Sequence, residues 1–258
     1  MRTEPIDKRV RGIVGDTVVV DSRKPLLFWE DGFPVPNYAY DPADVRMDLL
    51  APTVSEPPDG FDFFGPHGAV AETFDLVRDG RTLSRAAWRR DDPALAGRIV
   101  LSWQPGLLDR WLEEDEEVGG HPRDPYHRVE VLNSSRHIVV SLDGVTLAES
   151  RRPVLLFGTS LPTRYYLPDE DVNADALEPS RARSFCPYKG KADRYWSVRA
   201  GAGGADIAWC YDHPLPAVGK IAGRVAFYNE LVDLTVDGVR LDRADSVFKR
   251  REHRPSAE

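Results

Sequence analysis

The chain reads as mainly β: two tandem compact antiparallel-sheet domains with few short helices. Three observations carry this reading. Short apolar runs alternate with turn signals at intervals of roughly 8–12 residues. Asp-Gly dipeptides stand between strand-like segments at 143–144 and 237–238, the strongest short-range hairpin signal. The sequence also repeats itself, which makes the domain the unit of interpretation.

The repeat is visible without gaps over long stretches. "DSRKPLLFWEDGFPVPNYAYDPADVRMDLL" (21–50) lies over "ESRRPVLLFGTSLPTRYYLPDEDVNADAL" (149–177). Ser22-Arg23 falls on Ser150-Arg151, Pro25 on Pro153 and, after a one-residue insertion, Tyr38 on Tyr165 and Asp44-Val45 on Asp171-Val172. "AAW" (86–88) matches "IAW" (207–209), and "GRIVLSW" (97–103) matches "GRVAFYN" (223–229). The expected organisation is a first repeat over 8–120, degenerate in its polar residues, and a second over 128–248. They join through the acidic, Gly/Pro-containing stretch 112–127, "LEEDEEVGGHPRDPYH", whose like charges and breakers read as a solvated linker.

Each strand follows from pattern. "HIVVSL" and "VTLAES" flank Asp143-Gly144, and "LVDLTV" and "VRL" flank Asp237-Gly238. "PVLLF" (153–157) is a short apolar run suited to a buried strand. "RYW" into "SVRA" and "DIAWCY" surround the glycine-rich 201–204, read as another hairpin. "PDEDVNADAL" and "LPAVGKIAGR" are expected to form no more than short helical turns.

Composition bounds the function. With 41% hydrophobic and 29% charged residues, the chain is expected to bury a sizeable core and stay in solution. A net charge of −8 repels phosphate backbones, so no nucleic-acid partner is expected; the one basic run, "KRREHR" (249–254), reads as a solvated end. No membrane partner is expected, since no run of about 18 apolar residues occurs. Two cysteines, Cys186 and Cys210, cannot build a disulfide framework, and a reduced cytoplasmic setting is expected. A homodimer is compatible with the chain.

The most concentrated chemistry lies in "SFCPYKGKADRYWSV" (184–198). Pro187 and Gly190 frame Tyr188-Lys189 as a turn, and the strand that follows sends Tyr195 and Trp196 to opposite faces. Trp209 and Tyr211, two residues apart, share a face. Arg164 beside Tyr165 and Tyr166 offers a planar fork for an anion, and Lys189 offers a second positive point. Arg164, Tyr165, Tyr166, Cys186, Tyr188, Lys189, Tyr195, Trp196, Trp209 and Tyr211 are therefore the candidate ligand-binding residues, an aromatic wall with a few polar groups. In the first repeat Cys186 becomes Phe64, Lys189 becomes His67, Arg164 becomes Asn37 and Tyr211 becomes Arg90. The apolar frame is kept while the polar groups change.

The second repeat strongly resembles the domain-of-unknown-function family numbered 427, also labelled nucleotidyltransferase-like. "SRRPVLL", "RYYLPDEDV", "CPYKGKADRYWSV", "AWCYDHPLP" and "GRVAFY" carry the resemblance, and the Cys-Pro-Tyr-Lys-Gly run is its most specific part. The first repeat shares only the frame. The resemblance implies a curved, mostly antiparallel sheet akin to the β-tent folds, whose members often hold zinc through paired CxxC motifs; this sequence has no CxxC. The family brings no established activity.

Three readings follow. The first is a module binding a small, partly anionic molecule. The second is an enzyme in the same pocket, with Cys186 and Lys189 as candidate catalytic residues, or nucleotidyl transfer through "GTS" (158–160) and Asp169-Glu170-Asp171. Pro162 and Pro168 interrupt the helix that transfer would need. The third is a structural or interaction protein whose aromatics are all core. No cofactor is expected. Zinc on Cys186, Cys210 and His213 lacks the paired spacing of known sites, so no metal ligand is assigned.

Overall fold

The computed structural model describes residues 1–57, 62–95, 97–199 and 204–246. The chain divides into two units, Met1–Asp124 and Pro125–Glu258, and both carry the expected antiparallel sheets. Apart from Gly204, the glycine-rich turn at 201–204 lies outside the described residues, as does the basic run at 249–254. Among the described residues, no helix is long and apolar enough to cross a membrane.

Each unit pairs a seven-stranded sheet with a four-stranded one. In the first, the large sheet runs in the order Arg2–Pro5, Leu26–Trp29, Asn37–Tyr40, Ile99–Leu101, Arg81–Arg90, Val70–Arg78, Leu50–Thr53. Its small sheet is Glu116–Glu117, Arg110–Glu113, Val10–Val14, Thr17–Ser22. In the second, the large sheet is Val129–Asn133, Val154–Gly158, Arg164–Leu167, Val225–Phe227, Ala208–Cys210, Arg194–Val198, Leu177–Ser180. Its small sheet is Val145–Ser150, Ile138–Leu142, Asp233–Val236, Val239–Leu241. The two strand orders correspond one to one, which the sequence repeat required.

The registers fix the correspondence residue by residue. Leu27 pairs with Tyr38 as Leu155 pairs with Tyr165. Trp88 pairs with Val100 as Trp209 pairs with Ala226. Phe74 stands between Pro52 and Ala87, and Trp196 stands between Pro179 and Ala208. Both small sheets bulge at the same place, after Gly12 and after Val140. Asp143-Gly144 and Asp237-Gly238 form the expected hairpin turns, all four residues at positive φ, the geometry that Asp-Gly accepts at low cost.

One face of each large sheet packs on its small sheet. In the second unit Ile138, Val140, Leu147, Leu234 and Val236 meet Leu155, Tyr165, Leu167, Leu177, Val225 and Phe227. The link between the sheets recurs in both units. Ser22 Oγ donates to Asp44 Oδ2 at 2.6 Å, and Ser150 Oγ donates to Asp171 Oδ2 at 2.6 Å. Beside each, a turn amide reaches the small sheet: Arg46 N to Val19 O at 2.8 Å, and Asn173 N to Leu147 O at 2.9 Å. The expected helical stretches are short 3₁₀ turns at Asp169–Asp171, Ala174–Ala176 and Pro216–Ile221.

The acidic stretch expected as a linker begins inside the first unit. Arg110–Glu113 is a strand with Trp111 buried, and Val118 is buried after it. The Glu113 carboxylate turns inward, taking Lys8 Nζ at 2.8 Å and the Tyr38 hydroxyl at 2.8 Å. Charge count alone misreads this run, because one of its carboxylates is buried with a half-buried cation and a buried hydroxyl as partners.

The units also exchange volume at matched positions. Gly12 and Trp111 are cross-strand partners in the first, where Val140 and Leu234 stand in the second. A Cβ at Gly12 would lie 2.6 Å from Leu108 and 2.9 Å from Trp111, so the indole occupies the space of the missing side chain. Gly12→Val should destabilise the first unit by about 1–3 kcal/mol through overpacking. Gly12→Val with Trp111→Leu should lose less than the sum of the two single changes, by about 1 kcal/mol. Urea unfolding of the four chains measures that coupling.

Candidate functional site

The predicted site residues separate onto the two faces of the second unit's large sheet. Arg164, Tyr166, Tyr195, Trp209 and Tyr211 share the face turned away from the small sheet, with Tyr228 among them. The rings interlock: Tyr166 meets Trp209 edge-on, and Trp209 and Tyr228 centroids are 4.3 Å apart. Trp209 Nε1 donates to the Tyr166 hydroxyl at 3.4 Å. Tyr165 and Trp196 project to the opposite face and pack in the core between the sheets.

"SFCPYKGKA" folds as expected. Ser184–Cys186 pairs with Gly190–Ala192, Lys189 N bonds Cys186 O at 3.1 Å to close the turn, and Gly190 has φ 94°. Ala192 is buried in the ring cluster and the Ser184 hydroxyl meets the Tyr195 hydroxyl at 2.5 Å, so this hairpin covers the aromatic face. Tyr188 lies on the His127 ring at 4.3 Å. Cys186 is half-buried and near enough to Tyr166 and Tyr211 for its charge to act on both. Burial, first, raises both of those hydroxyls well above the ordinary tyrosine range.

Arg164 is engaged within the fold. Its two terminal nitrogens hold the Glu230 carboxylate at 2.7 Å each, both side chains being almost wholly buried. The guanidinium stands 5.7 Å from the Trp209 and Tyr228 rings. Burial works to raise the Glu230 pKa, but hydrogen bonds from Arg164, its charge and Ser246 together hold the group below its ordinary value. The sequence reading missed Glu230, whose position three residues after the strand Val225–Phe227 gave no periodic signal.

The first unit has its own polar cluster in the corresponding region. Glu30 takes His67 Nδ1 at 2.7 Å and lies 3.0 Å from Arg90, all three largely buried. Its polar groups are thus different rather than missing. Where Tyr166 accepts from Trp209, the first unit has Ala39, and Trp88 Nε1 has no hydrogen-bond partner among the described residues.

Open space in the second unit lies on the other side of the sheet. A cavity of about 280 Å³ is lined by Asp169, Val172, Ala174, Leu177, Pro179, Trp196, Arg199 and Val225. Four of these have apolar counterparts of similar kind in the first unit: Val45, Leu50, Pro52 and Ile99. The other four differ in chemistry. Ala174 replaces Met47, Trp196 replaces Phe74, Arg199 replaces Val77 and Asp169 replaces Pro42. Behind the lining, Ala176 replaces Leu49. In the first unit Met47 and Leu49 both pack against the core; their replacement by alanines opens the second.

The charges around this cavity are specific. The Arg194 guanidinium lies 5.2 Å from the Trp196 ring, 2.8 Å from Asp212 and 3.8 Å from Asp169. Its Nη2 also reaches the buried Cys210 sulfur at 3.2 Å, and burial pushes that thiol up to about 12 against the pull of the Arg194 charge. Cys210 is therefore a neutral thiol near neutral pH. Arg199 is exposed, and no ion pair or side-chain hydrogen bond engages it among the described residues.

The acids of the supposed transfer motif have structural work. Asp171 holds Ser150 and accepts from Arg152 at 3.0 Å, while Glu170 meets Arg152 at 3.2 Å. Among the described residues, no three His, Cys, Asp or Glu side chains converge as a metal site.

The model of a domain of unknown function, DUF427, matches residues 2–102 and again residues 130–238. The chain belongs to this family. The DUF427 match covers both units, so the first is a family domain in its own right. Among curated proteins, none matches.

Glu230→Ala should destabilise the second unit by about 3–5 kcal/mol, because it strands a buried guanidinium. The Glu230 pKa is lowered on folding, so the stabilisation it gives is present above its ordinary value of 4.5. It is lost as pH falls through the lower folded value. Glu230→Gln should flatten that acid limb in urea unfolding followed from pH 7 to pH 3.

Proposed function

We propose that the second unit binds a small, partly anionic molecule in the cavity walled by Trp196, with Arg199 meeting the anion. The observation that carries this reading is the comparison with Met47. In the first unit Met47 packs against the core at this place, whereas in the second Ala174 lines a cavity whose wall also carries an indole and a guanidinium that no described residue engages. Loss of core volume normally costs stability, and a retained hollow with an aromatic wall and few polar groups is the usual form of a small-molecule site. At about 280 Å³ it stands at the small end of such sites. A reaction using Cys186 and Lys189 would take place across the sheet from this cavity.

Ala174→Met tests the assignment by giving the second unit the side chain that the first already accommodates. The variant should fold with stability equal to or up to about 2 kcal/mol above the parent, as cavity filling does. Screened by thermal unfolding against small organic anions, the parent should show saturable stabilisation by at least one compound, and Ala174→Met should show none. Equal stabilisation of both chains would place the binding elsewhere.

A further inference from the structure

We infer that the ligand of this cavity is a flat, amphoteric ring: an anionic group at one end for Arg199, and a hydrogen-bond donor at the other for Asp169. This rests on the cavity being a ligand site, as proposed above. The ring follows from the walls. Trp196 stands beside Pro179 in register, and with Leu177, Val172 and Val225 they make an apolar surface whose one large flat element is the indole. Arg194 already stacks on that indole, so a planar group suits the environment that this ring offers.

The polarity follows from charge partition. Arg194 is shared between Asp212 and the more distant Asp169, and Asp212 takes the closer contacts at 2.8 and 3.0 Å against 3.8 Å. One cation between two carboxylates leaves the Asp169 oxygens with unused acceptor capacity at the cavity wall. Arg199 has the opposite imbalance, a guanidinium that pairs with no carboxylate among the described residues. The first unit has Pro42 and Val77 at these positions and carries neither charge. The pair of opposite charges thus stands at the wall of this cavity and has no counterpart at the matched positions of the first unit. The two ends set which ligand is preferred, because a ligand lacking either group leaves one charge at the wall without its charge-assisted hydrogen bond.

A matched series separates the parts: 4-aminobenzoate, 4-aminobenzamide without the anion, benzoate without the donor, and trans-4-hydroxycyclohexanecarboxylate, which keeps the anion and a neutral donor without the flat ring. Binding is read from ¹⁵N–¹H shifts of the Trp196 indole in the full chain, identified by its loss in Trp196→Phe. 4-Aminobenzoate should bind saturably, each of the other three at least tenfold more weakly. Arg199→Gln should erase the preference for acid over amide, and Asp169→Asn the preference for the amino group, while each leaves the other intact. If the series shifts Trp196 in the parent and not in Ala174→Met but shows no order among its members, the cavity binds and the amphoteric assignment falls. If no member shifts Trp196, or if Ala174→Met changes nothing, the binding reading falls and this inference with it.

Discussion

A single hydrogen bond, made once in each unit, fixes what the rest of the architecture can do. A serine at the end of the small sheet is held by an aspartate in a three-residue turn that leads to the edge of the large sheet, Ser22 to Asp44 and Ser150 to Asp171. Such turns are too short to hold their own position, because 3₁₀ geometry gives one or two weak bonds and little packing. The clasp and the backbone bond beside it set the height of the turn above the large sheet. Side chains on that shelf then decide whether the space beneath is filled, as by Met47, or open, as at Ala174.

The other side of the large sheet is under a different constraint. It must be covered, and each unit covers it with rings and a buried polar group assembled from separate strands. In the second, Arg164 and Glu230 come from opposite ends of the unit's sequence and lock beneath Trp209 and Tyr228. Burying such a pair costs desolvation energy that the mutual attraction roughly offsets. Its effect is to hold the rings in one arrangement. In the first, Glu30, His67 and Arg90 occupy the corresponding region with other chemistry. The frame tolerates either set because the strands beneath have the same register.

The architecture was legible because its signals are local and doubled. Asp-Gly turns, alternating runs and the matched serines and aspartates each state the same fold twice. The alternation also placed Tyr195 and Trp196 on opposite faces, and Trp209 with Tyr211 on one. The site was less legible, because clustering in sequence drew attention to "CPYKGK" while a two-sided sheet sends neighbours apart. Arg164 looked available since its partner, Glu230, lies 66 positions away beyond any periodic pattern. The cavity was written as a deficit, Met47 and Leu49 against Ala174 and Ala176. A search for distinctive chemistry passes over alanine.

One difference between the units bears on how a chain of two similar domains folds at all. In the first, Arg89 faces Glu72 across the strand pair. In the second the signs are reversed: Arg194 stands opposite Cys210, with Asp212 close by. Tandem copies risk exchanging equivalent strands while both are still unfolded. Here an exchange would set Arg194 against Arg89, so that hybrid sheet would begin with like charges opposed. Reversal of polarity at this cross-strand position thus weighs against one of the two hybrid sheets that such an exchange would make.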